Sequence, residues 1–231
     1  MYEEILNGVA SGDSIGGPTA MASIVAQSLM NIRNLDVADL INRYSVWAAD
    51  NAFDTGPTFA LVFGLIKQGY TPHAATKLAH DKLGHQSAGC APAQRIAPLA
   101  GCAFIPTSKL SKFAREEAAI THYDPIAGDA AAIVSLICRL LICGYSTRDI
   151  DTELNRIEPD AWLGVNQGSI GPSGLSKDAV RTAWFCLSRA DDPLSNAIKI
   201  AGDSNYSPPI VGAFLAAQKI GRTHPGHFQV G

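Results

Sequence analysis

Apolar residues return every three or four positions along nearly the whole 231-residue chain, a period that suits α-helices and not β-strands. Ten stretches carry it: residues 20–30, 37–49, 57–68, 72–83, 110–120, 125–143, 147–157, 177–188, 193–201 and 208–220. Strict apolar–polar alternation is missing. Helix punctuation agrees, since Thr71 ahead of Pro72 and Ser146 three residues ahead of Asp149 are N-terminal caps, while Gly69, Gly84, Gly144 and Gly221 follow helical runs. The spacing predicts an all-α, single compact multi-helix domain over residues 1–221 and a C-terminal tail at 222–231. No longer unit repeats along the chain, which argues against a solenoid.

Composition narrows the functional classes. With 47% hydrophobic and 17% charged residues, the chain has the reverse of a disordered composition. Its 18 Lys and Arg against 21 Asp and Glu leave a net charge of -3, too little positive charge to favour nucleic acid or an anionic membrane as partner. The five cysteines, Cys90, Cys102, Cys138, Cys143 and Cys186, are odd in number and form no CxxC pair, so buried reduced thiols are expected rather than disulfides or a zinc knuckle. The most apolar run, residues 130–143, contains Arg139 and is shorter than the ~20 residues a membrane span needs. The first residues, Met-Tyr-Glu-Glu-Ile, lack the basic region and apolar run of a secretory signal, and the expected location is the cytoplasm.

Two segments, 86–107 and 161–176, are rich in Gly, Pro and Ser and read as irregular loops, where ligand contacts usually lie. A second feature recurs: an Asp shortly before a Pro that opens an apolar helix. It occurs at Asp13 with Pro18, Asp54 with Pro57, Asp124 with Pro125 and Asp203 with Pro208. Any one of these is accounted for by capping, because a carboxylate there meets free N–H groups and the positive end of the helix dipole. Four together, if the helix starts converge, would gather carboxylates and hydroxyls suited to Mg²⁺ or Mn²⁺ and N–H groups suited to phosphate. Arg95 fits either a phosphate contact or an ion pair with a helix carboxylate, and its glycine-rich loop favours the phosphate. Cys90, five residues after His85, invites a Cys–His nucleophile, although a lone loop cysteine is more often inert. His224 and His227 in the tail read as solvated, and Trp47 and Trp184 as core.

At these same segments the chain resembles the ADP-ribosylglycohydrolase family. NGVASGDSIGGP at residues 7–18 is similar to the family's opening helix and GDxxGxP turn, and Phe53-Asp54-Thr55 falls where the family has Asp-Asp-Thr. GCAPAQRIAP at 89–98 resembles a GNGxxMRxxP loop, THYDP at 121–125 a THxDP turn, GPSGL at 171–175 a Gly-rich loop, and GDSN at 202–205 the closing GDxD motif. The resemblance implies an all-helical fold with a Mg²⁺ or Mn²⁺ centre that cleaves a glycosidic bond of an ADP-ribosyl adduct or nucleotide-like small molecule. It implies Asp54, Thr55, Asp203 and Asn205 at the metal, with Asp54, Asp203 and His122 in catalysis. Gly89, Cys90, Arg95, Asp124 and Gly171 would hold the substrate.

The departures from the pattern are specific. Phe53 stands for the first acid of Asp-Asp-Thr, Asn205 for the second acid of GDxD, and Tyr206 for a Thr or Ser. Hard cations rely on carboxylate oxygens, so one ion or none is expected rather than two. Two other readings follow: a member of the fold that holds ADP-ribose or another anion without cleaving it, and a hydrolase or lyase with a rebuilt site that uses Cys90.

Overall fold

The computed structural model describes residues 1–50 and 53–224, and among them every regular element is a helix. In chain order these are α1 (Tyr2–Gly12), α2 (Gly17–Ile32), α3 (Val37–Asp50), α4 (Gly56–Lys67), α5 (Pro72–Lys82) and α6 (Ala91–Arg95). A 3-10 turn (Ala97–Gly101) leads to α7 (Thr107–Ala118), α8 (Pro125–Ile142), α9 (Thr147–Ile157), α10 (Pro159–Asn166), α11 (Ser176–Arg189), α12 (Pro193–Ala201) and α13 (Pro208–Thr223). The expected caps form: Thr71 Oγ1 accepts from Ala74 N, and Ser146 with Asp149 makes a reciprocal capping box.

Three sequence expectations need correction. Segment 161–176 is not irregular throughout, because its first part belongs to α10, a two-turn helix too short to show a full apolar period. Segment 86–107 likewise contains α6, the 3-10 turn and the start of α7. Gly221 lies inside α13 rather than after it. A Cβ there would collide with the carbonyl oxygen of Leu141, so the glycine serves the contact between α13 and α8. The domain boundary at 221 falls in the last turn of α13, and the rest of the tail from 225, including His227, lies outside the described residues.

The core is organised around α8, which is buried from Ala130 to Ile142 and touches α6, α7, α9, α10, α11, α13 and the 3-10 turn. By length and composition α8 could cross a membrane, yet 83% of that window is buried against the rest of the protein. Its one basic residue, Arg139, is nearly enclosed and donates to the carbonyls of Ala100, Cys102 and Ile105. A guanidinium distributed over main-chain carbonyls avoids the cost of an unpaired buried charge and pins the 3-10 turn to α8. Tryptophan 162 and Trp184 stack edge to face in the core, their ring centres 5.4 Å apart.

The pairing of α1 with α13 sets the site. Ideal Cβ atoms on Gly8 and Gly212 would each collide with the other's carbonyl oxygen, and one on Gly12 would collide with that of Pro208. The pairing of 8 with 212 and of 12 with 208 makes the helices antiparallel, with their backbones in direct contact. Consequently the end of α1 lies beside the start of α13, and the loops that carry Asp13 and Asn205 become neighbours although 192 positions separate them.

Candidate functional site

Four helix starts converge on one cleft of about 420 Å³, within the roughly 300–1,000 Å³ usual for small-molecule sites. Asp54, Thr55, Gly56, Pro57 and Thr58 come from the start of α4. Gly89, Cys90, Ala91 and Gln94 come from the start of α6, and His122 from the turn before α8. Asp203, Ser204, Asn205 and Tyr206 precede α13, and Ile15, Gln86 and Gly174 complete the lining.

The four acids before prolines separate into two kinds. Asp124 caps α8 by accepting from Ile126 N at 3.0 Å. Asp13 accepts from the backbone N–H groups of Ile15, Gly16 and Thr19 and from the Thr19 hydroxyl, which closes the turn into α2. Burial raises the Asp13 pKa, but these hydrogen bonds and one from Asn205 outweigh it and hold the carboxylate below its usual value. Neither Asp54 nor Asp203 caps its helix, and both face the cleft.

Asp54 sits in the left-handed backbone region at φ 50°, which a non-glycine residue enters at some cost. Gly17 makes room for it, since a Cβ on Gly17 would come within 2.7 Å of Asp54 Cβ. Burial raises the Asp54 pKa and the Asp13 charge adds to that, while the Asn205 hydrogen bond opposes both. Phe53, in the position of the expected acid, is 45% exposed, packs edge-on against Trp47 and covers Gly16.

His122 is held from behind by a buried polar chain. Arg95 Nε donates to Glu117 Oε1 at 2.7 Å, an Arg95 terminal nitrogen donates to Thr121 Oγ1 at 2.8 Å, and Thr121 Oγ1 lies 2.7 Å from His122 Nδ1. Tyr44 also donates to Glu117 Oε1 at 2.7 Å. Burial, helped by the Arg95 charge, lowers the His122 pKa to about 3, so the ring is neutral at physiological pH. Its far nitrogen, Nε2, would stand 3.1 Å from a Cβ on Gly89; glycine there leaves it access to the cleft.

The loops that form the walls hold one another. Cys90 N donates to Gly174 O at 3.0 Å and Ser176 N to Ala88 O at 2.8 Å, an antiparallel bridge between Gly89 and Leu175. Gln94 Nε2 donates to the carbonyls of Asn205 and Tyr206, fixing the loop before α13, and the Tyr206 ring covers Gly174.

Three sequence-derived assignments are corrected by these positions. Arg95 is fully buried and ion-paired with Glu117, so it does not reach a substrate phosphate; on the single turn of α6 its neighbour Gln94 faces the cleft instead. Asp124 is engaged as a helix cap outside the lining. Gly171 packs on α11, donating to Thr182 Oγ1 at 3.1 Å, and Gly174 lines the cleft in its place. Cys90 does line the cleft, but burial pushes its thiol up to about 12, which leaves no thiolate for nucleophilic attack. Sequence reading missed Gln86, Gln94 and Gly174. Gln94 and Gly174 lie in the two quoted loop motifs, yet nothing local tells which residue of a motif turns inward.

The place between Asp13 and Asp54 does not fit a divalent cation. Asn205 directs its amide nitrogen at both flanking acids, 2.7 Å from Asp13 Oδ1 and 3.1 Å from Asp54 Oδ2, and its oxygen accepts from Ser14 N at 3.1 Å. A cation there would face N–H hydrogens where it needs oxygen lone pairs. Among the described residues, no group of three or more His, Cys, Asp or Glu side chains is placed to hold an ion.

The sequence profile of a family described as ADP-ribosylglycohydrolase matches residues 15–219. A solved structure titled "ADP-ribosylglycohydrolase-related protein complex" superposes with a TM-score of 0.74 at 19% identity, over 98% of this chain and 89% of that one. At that identity the likeness establishes the fold. No curated protein matches the chain.

Proposed function

Because the chain belongs to the ADP-ribosylglycohydrolase family, we propose that its cleft hydrolyses a glycosidic bond of an ADP-ribosyl or nucleotide-like substrate. The family is generally hydrolytic. The observation that carries the reading is the sorting of the acids: those not consumed by their own helices, Asp54 and Asp203, line the same cleft as His122. Hydrolysis breaks the bond from the ribosyl anomeric carbon to its leaving group and adds water, and the positive charge that develops on the sugar is stabilised by nearby carboxylates. Asp203, exposed at the rim, is suited to take a proton from the water. Neutral His122 is suited to a hydrogen bond with a sugar hydroxyl or the leaving group. Asp54, at the cleft beside Asp13, is the carboxylate placed to face the developing charge.

A second reading is favoured by Asn205, whose hold on Asp54 ties down one of the two acids: the cleft binds an ADP-ribose-like ligand without cleaving it. Mass spectrometry of ADP-ribosylated arginine and serine peptides, run beside calorimetry with free ADP-ribose, separates the two. Release of ADP-ribose that falls at least about 100-fold in Asp54→Asn and Asp203→Asn supports hydrolysis. Binding of ADP-ribose without release supports the second reading, and neither binding nor release rejects both.

A further inference from the structure

The Asn205 amide lies between two carboxylates. Its two N–H hydrogens go to different acids, Asp13 Oδ1 at 2.7 Å and Asp54 Oδ2 at 3.1 Å. The orientation of the amide follows from its partners. Ser14 N and Ser14 Oγ approach Asn205 Oδ1 at 3.1 and 3.3 Å, and a flipped amide would set its oxygen against both carboxylates and its nitrogen against the Ser14 N–H. Four groups are thereby satisfied by one side chain. Asn205 is itself 6% exposed, its backbone oxygen is clamped by Gln94, and its loop is fixed by the α1–α13 contact, so the amide has little freedom to swing aside.

We infer that Asn205 is a built-in replacement for a cation: it holds Asp13 and Asp54 together by hydrogen bonds, so the protein neither needs nor takes Mg²⁺ or Mn²⁺ at this place, and Asn205→Asp alone opens the place to a divalent ion. The substitution removes the two donors and adds a third carboxylate facing the other two. Like charges so close repel without a counterion, and oxygen ligands of this kind suit Mn²⁺ and Mg²⁺. The inference concerns the cation alone, and turnover is not among its readouts, so it stands or falls apart from the proposed reaction.

The test is thermal unfolding and Mn²⁺ titration of the whole protein. Wild type should melt at the same temperature, within about 1 °C, in millimolar Mn²⁺ or in EDTA, and should show no stoichiometric Mn²⁺ binding. Asn205→Asp should melt several degrees lower in EDTA, regain part of the loss in Mn²⁺, and bind Mn²⁺ at least roughly tenfold more tightly than wild type. Asn205→Ala adds no charge but leaves Asp13 and Asp54 unbridged, and it should shift in the same direction by less. Stoichiometric Mn²⁺ binding by wild type, or Mn²⁺ affinity unchanged in both variants, would overturn the inference. The wild-type titration decides the matter even if Asn205→Asp does not fold.

Discussion

Arg95 and Glu117 form an ion pair at 2.7 Å with both side chains fully enclosed. The guanidinium lies over the Tyr44 ring, its central carbon 5.1 Å from the ring centre. Glu117 Oε2, by contrast, is buried without a partner, so the pair depends entirely on Oε1. Removing either member strands the other charge. Arg95→Ala and Glu117→Ala are each expected to lose about 3–5 kcal/mol in urea unfolding. A double change to apolar residues of similar volume should lose less than the sum of the two. Additive losses would show that the pair is not a unit.

Capping and chemistry are separable among the acids. Asp124→Ala should cost about 0.5–2 kcal/mol of stability by uncapping α8 and leave ligand binding nearly unchanged. Asp203→Ala should do the opposite, because its carboxylate caps nothing. Denaturant midpoints and calorimetry on the two variants check the reversal.

His122 makes stability fall in acid. Its folded pKa is about 3, below the ordinary value of 6.5, so between those values the unfolded chain binds the extra proton and is favoured. The contribution is fully present above pH 6.5 and is lost progressively as pH falls toward 3. Asp13, whose pKa is held below its usual value, works in the same direction at lower pH. Melting temperature against pH should therefore slope less steeply between pH 6.5 and 4 in His122→Asn than in wild type; an unchanged slope would mean that this ring is not the group responsible.

The glycine contact between α1 and α13 should be intolerant of a methyl group. Gly212→Ala is expected to cost about 1–3 kcal/mol through overpacking and to weaken ligand binding, because the helix ends that it would separate carry Asp13 and Asn205. Gly64→Ala, in α4 with nothing within 4 Å of the added Cβ, should instead stabilise by about 0.5–1 kcal/mol. Paired unfolding curves decide between packing and a general preference for alanine.

The all-helical class and most of the helices were legible in the order of residues, because amphipathic spacing and caps act over one or two turns. For helices 147–157 and 193–201 the apolar spacing gives the same bounds that the structure has. The two-turn α10 and the single turn of α6 were too short to show a period. The same locality limited the reading of the site. An aspartate ahead of a helix-opening proline has one appearance in sequence, yet Asp13 and Asp124 spend their oxygens on nearby N–H groups while Asp54 and Asp203 face the cleft. Arg95 and Gln94 are adjacent in sequence, but Glu117 draws the first into the core and leaves the second at the wall. Only the packed fold decides such cases. Whether a polar atom is free for chemistry depends on which distant groups have already met its hydrogen-bonding demand, and those partners, such as Asn205 for Asp13, lie as many as 192 positions away.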